Sequence, residues 1–171
     1  PSVIGNAAMF VQNLGRLDEA IAATQYQASR DPANPRIPLN LASTYLFAGR
    51  WDDAVNAART VLAMSPGRTS INATMAMALL HKGDLSGALS AAQAESSERA
   101  RLPALAMVYH ALGRRAQADS AQSLLVAKYG ADDPYAVASV MAFRGAADDA
   151  FGWLDRARAG GDISYLAVDP A

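Results

Sequence analysis

The sequence contains no cysteine, which excludes disulfide staples and thiolate metal sites and leaves the compartment open. No apolar run approaches the ~18 residues of a membrane helix, so no membrane insertion is expected. Neither charge sign dominates. Fifteen basic and sixteen acidic side chains leave a net charge of −1, and Arg114-Arg115 is the only adjacent Lys/Arg pair, so nothing in the field of the chain recruits nucleic acid. The stretch from Pro1 to Val11 lacks the basic start of a secretory signal. Valine and isoleucine are sparse, which removes strand-like runs. Because the sequence opens on Pro-Ser and not Met, it is expected to be a piece of a longer chain.

Alanine is what the sequence has in excess: 39 of 171 residues. Alanine has the best helix propensity and lets helices approach closely, so the composition points to an all-α fold. It also recurs in register with glycine. The glycines at 15, 49, 83, 113 and 145 lie 34, 34, 30 and 32 residues apart. Each is preceded seven residues earlier by an alanine (Ala8, Ala42, Ala76, Ala106, Ala138) and followed five later by another (Ala20, Ala54, Ala88, Ala118, Ala150).

This repeat, Ala-x₆-Gly-x₄-Ala, predicts helix, tight turn, helix. Glycine closes the first helix in a left-handed conformation, and the alanines mark helix crossings. Acidic residues follow the glycines at Asp18-Glu19, Asp52-Asp53, Asp84 and Asp148-Asp149. Their recurrence reads as capping of helix N-termini and not as general acid/base machinery. Larger apolar residues flank the alanines at helical spacing, as in Leu41/Tyr45, Met75/Leu79, Leu105/Tyr109 and Val137/Met141. Asp31-Pro32 and Ser65-Pro66 close the first two units.

With small residues at the eighth and twentieth places of a 34-residue period, an aromatic at the eleventh and proline at the thirty-second, the chain resembles the tetratricopeptide repeat (TPR) family. Leu41, Ala42, Tyr45, Gly49, Trp51, Ala54, Ala58 and Pro66 carry the best-matching unit, while Val11, Gln27 and Ala100 depart from the pattern. The resemblance implies a right-handed superhelix of about five antiparallel helix-turn-helix units, an α-solenoid. The units would run 1–34, 35–68, 69–98, 99–130 and 131–161 in a single domain over 1–171, with 162–171 a truncated C-terminal segment. The fourth unit starts about four residues early, so a shortened second helix or loop is expected in the third. A second resemblance covers roughly residues 100–171. Ala150, Phe151, Trp153, Leu154 and the Val168-Asp169-Pro170 ending look like the TPR tail of bacterial multidomain signalling proteins, in which a cyclase, kinase or winged-helix domain precedes the repeats.

Candidates for chemistry are few. His81 and His110 stand at neighbouring repeat places, but no helix offers two ligands at i and i+4, so neither a metal nor any cofactor is expected. Gly160-Gly161 lacks the lysine and hydroxyl of a phosphate loop. Asn72-Ala73-Thr74 is formally a glycosylation acceptor but falls inside an expected helix. The chain is therefore read as non-enzymatic.

The resemblance implies instead a concave groove lined by the first helices. Carried onto this chain, the groove takes Met9, Gln12 and Asn13 from the first unit and Arg36, Leu39, Ser43, Leu46 and Phe47 from the second. The third gives Ala73, Met77, Leu80 and His81, the fourth Met107 and His110, and the fifth Tyr135, Ser139 and Phe143. Asn40 matches one asparagine of the family's carboxylate clamp, but Gly5, Met9, Ser70 and Thr74 replace the rest, so no clamp is expected. An apolar, methionine-rich groove suits a helix or an extended protein segment. The expected function is a protein–protein interaction module within a larger bacterial protein. The alternative is a regulatory or sensory tail of a multidomain enzyme or transcriptional regulator, docking its own upstream domain. Self-association through terminal repeats is also expected, because uncapped repeats expose an apolar face. Zero cysteine fits cytoplasm, which is favoured, or periplasm.

Overall fold

A computed structural model of the chain describes residues 2–160. The truncated segment expected at 162–171, with Val168-Asp169-Pro170 and the second glycine of Gly160-Gly161, lies outside the described residues. Among the described residues there are ten helices and no strand: α1 (Ser2–Asn13), α2 (Leu17–Arg30), α3 (Arg36–Phe47), α4 (Trp51–Met64), α5 (Ile71–Lys82), α6 (Leu85–Ala94), α7 (Glu98–Ala111), α8 (Arg115–Tyr129), α9 (Pro134–Phe143) and α10 (Ala147–Ala159).

The turn within each pair has one design. Gly15, Gly49, Gly83, Gly113 and Gly145 all adopt φ between 68° and 87°, a region in which a Cβ would clash with the backbone. Around Gly49, its N–H donates to the Leu46 carbonyl at 3.1 Å and the Arg50 N–H donates to the Tyr45 carbonyl at 2.9 Å. This double bond pattern absorbs the orphan carbonyls at the end of α3 and reverses the chain. The same pattern recurs around Gly83, Gly113 and Gly145. The ten repeat alanines are all buried, none more than 5% exposed. They are the points at which helices meet without room for a longer side chain.

Each helix packs on the next, and from α3 onward the first helices of successive pairs also touch: α3 on α5, α5 on α7 and α7 on α9. One continuous core runs through the stack, from Ile21 through Val55, Val61, Ile71 and Val108 to Leu125, Val137 and Val140. The period shortens where expected. Helix α6 has 10 residues against 14 for α4, and only residues 95–97 separate it from α7.

The acidic pairs correct one expectation. Asp18, Glu19, Asp52, Asp53, Asp148 and Asp149 lie inside the first turns of α2, α4 and α10, and the residues at the N-cap positions are Arg16, Arg50 and Ala146. Arg16 pairs with Glu19 at 2.6 Å and Arg50 with Asp53 at 2.7 Å. The acids therefore act on the helix dipole and on these arginines, not as side-chain caps. Capping through a side chain is the work of Asp84, which accepts from the Gly87 N–H, and of Asp133, which accepts from the Ala136 N–H.

Candidate interaction groove

The first helices α3, α5 and α7 place a cavity of about 290 Å3 between them. Small residues, Ala73 on α5 and Ala100 and Ala104 on α7, leave the space, while Leu46, Phe47, Met77 and Met107 form its walls. Met107 is 3% exposed and makes the floor. Pro103 borders the same space and removes one backbone hydrogen bond from the interior of α7. Ser139 of α9 reaches the edge.

A second cavity, of about 460 Å3, opens between α1 and α3 and is closed by residues 68–70. Its lining is mixed: Met9 and Leu39 beside Asn13, Asn40, Ser43 and Arg68. A third, of about 290 Å3, follows it towards the N-terminal end and includes Asn6, Asn34 and Arg36. The second and third share Met9 and Asn40, and the first and second share Phe47 and Ser70. The three therefore form one row along the first helices, apolar at α5–α7 and polar at α1–α3. The Thr44 hydroxyl donates to Gln12 Oε1 at 2.6 Å and fixes α1 against α3 across the second cavity.

Ser70, at the junction, has φ 70° and is the one non-glycine left-handed residue among the described residues. A buried carboxylate holds it there. Glu95, 1% exposed, accepts the N–H groups of Ser70 at 3.0 Å, Ala73 at 3.2 Å and Ser97 at 2.8 Å. One carboxylate thus receives orphan donors at the start of α5 and another at the boundary of α7. Arg101 donates to the Glu95 carbonyl at 2.9 Å and pins the same connector.

The remaining expected groove residues form a rim at the C-terminal ends of the first helices. Trp51 and His81 stack with ring centroids 4.8 Å apart at 16°. Phe143 meets His81 edge-on at 6.5 Å and His110 at 6.1 Å. His110, Phe143 and Tyr135 line none of the three cavities. Tyr135 is half-buried, and its carbonyl accepts the Ser139 hydroxyl at 3.1 Å. Leu80 is core, 6% exposed, and not groove. Sequence reasoning missed Arg68 and Ser70 as lining residues and Glu95 as their support. The only signal for Ser70 was a hydroxyl residue just before an apolar run.

Charge is segregated. No Asp or Glu lines any of the three cavities, and α1, α3, α5 and α9 contain none. Glu98 on α7 bonds instead to Lys128 at 2.8 Å and Tyr129 at 3.1 Å on α8, and these two donors pull its carboxyl below the usual glutamate range. Among the described residues no three His, Asp or Glu side chains gather as metal ligands, and no helix is long and apolar enough to cross a membrane.

Hairpins of helices stacked in chain order, each reversed at a left-handed glycine and crossed at alanine, define an α-solenoid repeat protein. Residues 14–59 match the tetratricopeptide repeat model, and the fold is that of solved TPR proteins. A thermophilic TPR protein from Thermus thermophilus superposes with a TM-score of 0.73 at 20% identity, over 97% of this chain and 96% of that one. A tetratricopeptide repeat protein from Parabacteroides merdae gives 0.67 at 17%, over 92% of this chain and 64% of the other. MamA gives 0.60 at 19%, over 91% and 95%. No curated protein matches the sequence. The chain is a TPR solenoid.

Proposed function

We propose that this solenoid is a non-enzymatic interaction module, part of a larger bacterial protein, that seats a protein segment along the row of cavities on its first helices. The observation that carries the reading is continuity: three cavities share lining residues from Asn6 on α1 to Met107 on α7. A segment laid along them would bury large side chains between α5 and α7, each worth roughly 1.5–3 kcal/mol. Met77 and Met107 can reshape to fit different side chains. Met9, Asn13, Leu39, Ser43, Phe47, Met77, His81 and Met107 form the seat, with His110, Phe143 and Tyr135 beyond its C-terminal rim.

The test is selection of peptides from a random displayed library on the intact chain, followed by binding to the Met77→Glu variant. Selected peptides should lose affinity at least roughly tenfold on the variant while its far-UV circular dichroism stays unchanged. Peptides that bind both proteins equally would remove the groove from consideration.

A second reading concerns copies of the chain. Helix α1 has no charged residue and exposes Val3, Phe10 and Leu14 along one side. A two-fold contact sets a patch against itself, and an uncharged patch meets no repulsion in doing so. Dimerisation through α1 should therefore be seen by sedimentation and be abolished in Phe10→Glu. A monomer at high concentration defeats it.

A further inference from the structure

We infer that the occupant of this groove is an acidic and apolar segment, its carboxylate side chains lying at the α1–α3 end beside Arg36 and Arg68 and a large apolar side chain entering the cavity between α5 and α7. The inference rests on the groove reading above and adds the chemistry of the partner.

Three observations on charge support it. First, the described acids outside α7 all lie on second helices or in turns and connectors, so the groove face carries no carboxylate of its own. Secondly, the cations that join helices elsewhere are neutralised: Lys82 by Asp52, Arg99 by Asp133, Lys128 by Glu98 and Arg144 by Asp119. Arg36 and Arg68 border the polar cavities, are exposed, and make no ion pair among the described residues. Thirdly, Asn13, Asn40 and Ser43 line the cavity that Arg68 closes, and each of these side chains can donate to a carboxylate.

A concave surface with low-dielectric walls focuses such a field. An acidic side chain entering it gains charge-assisted hydrogen bonds. A lysine in the same place meets two like charges and no acid to pair with, so rejection of basic segments comes from the same residues. The apolar cavity, about 290 Å3, is at the small end of ligand pockets, ~300–1,000 Å3, and so accepts side chains of a segment and not a whole compact ligand.

The peptides selected on the intact chain give the test. A selected peptide, its Asp/Glu→Asn/Gln version and its Asp/Glu→Lys version are titrated by fluorescence anisotropy, at low and high salt, against the intact chain and against Arg36→Glu/Arg68→Glu. Net-acidic peptides should be enriched. Neutralising their acids, or reversing the two arginines, should weaken binding by at least roughly tenfold, and salt should weaken only the acidic form. The Lys version should bind the reversed variant better than it binds the intact chain. Arg36→Gln/Arg68→Gln, with unchanged circular dichroism, gives the intermediate affinity if the reversed variant folds poorly. Enrichment of neutral or basic peptides, or affinities indifferent to both arginines but still lost in Met77→Glu, would overturn the acidic partner and leave the groove standing. Peptides indifferent to Met77→Glu would overturn both.

Discussion

The rings of His81 and Phe143 meet edge-on, centroids 6.5 Å apart at 85°, although they belong to the third and fifth helix pairs. The curl of the stack brings the ends of α5 and α9 together past the end of α7, and His110 of α7 touches the same Phe143 ring at 6.1 Å. One phenyl group therefore ties three pairs.

Phe143→Ala should lower stability by about 1–2 kcal/mol, less than a fully buried phenylalanine, because the ring is only partly covered. Urea unfolding measures the loss, and ring proton shifts of the histidines locate it. Both His81 and His110 should move. Movement of His110 alone would mean that the third and fifth pairs are not joined in solution.

Ser70 and Glu95 should respond with opposite signs. Ser70→Gly relieves a left-handed backbone and should stabilise by up to about 1 kcal/mol, after the greater freedom of glycine in the unfolded chain is subtracted. Glu95→Ala leaves three N–H groups without their acceptor and should destabilise by about 3 kcal/mol or more. Amide exchange at Ser70 and Ala73 should speed up in Glu95→Ala. Unchanged exchange at those two amides would show that the carboxylate does not hold the start of α5.

The Glu98–Lys128 pair predicts a pH window. Hydrogen bonds from Lys128 and then Tyr129 hold the Glu98 carboxyl below its ordinary range, and the bond to Glu98 raises the Lys128 ammonium above its own. A depressed carboxyl stabilises the fold above its unfolded value and loses that contribution as pH falls through the folded value. A raised ammonium stabilises below its unfolded value and loses that contribution as pH rises through the folded one. Glu98→Gln should therefore be less stable than the parent at neutral pH, with the difference vanishing in acid below the glutamate range and in strong alkali. Both groups are solvent-exposed, so the effect is small and screened by salt. A urea-midpoint difference that stays constant with pH would exclude the pair.

The hairpins were legible because their causes are local. A glycine at φ near +70° and an alanine at a crossing leave their mark in single residue types, and Gly49 with Ala42 and Ala54 carried the whole pattern. The cavities between Phe47, Met77 and Met107 came from residue types at repeat places. Glu95 was not legible, because its three donors come from two different helices and only the fold gathers them. Ser70 carries no glycine to announce its backbone. The contact of His81 with Phe143 depends on curvature, a sum of small rotations that includes the shortened α6, and no sequence interval reports that sum. The acidic pairs misled for a related reason: repetition marked the turn but did not distinguish a cap from the residue two or three places after it.

Helices that pack chiefly on their sequence neighbours have kinetic consequences. No long loop must close before favourable burial begins, so folding should be rapid for a chain of this size. Lesions should stay near their origin: a damaging change in α9 would loosen the last hairpins while α1 to α4 hold their shape, and the molecule would unzip from an end instead of dissolving at once.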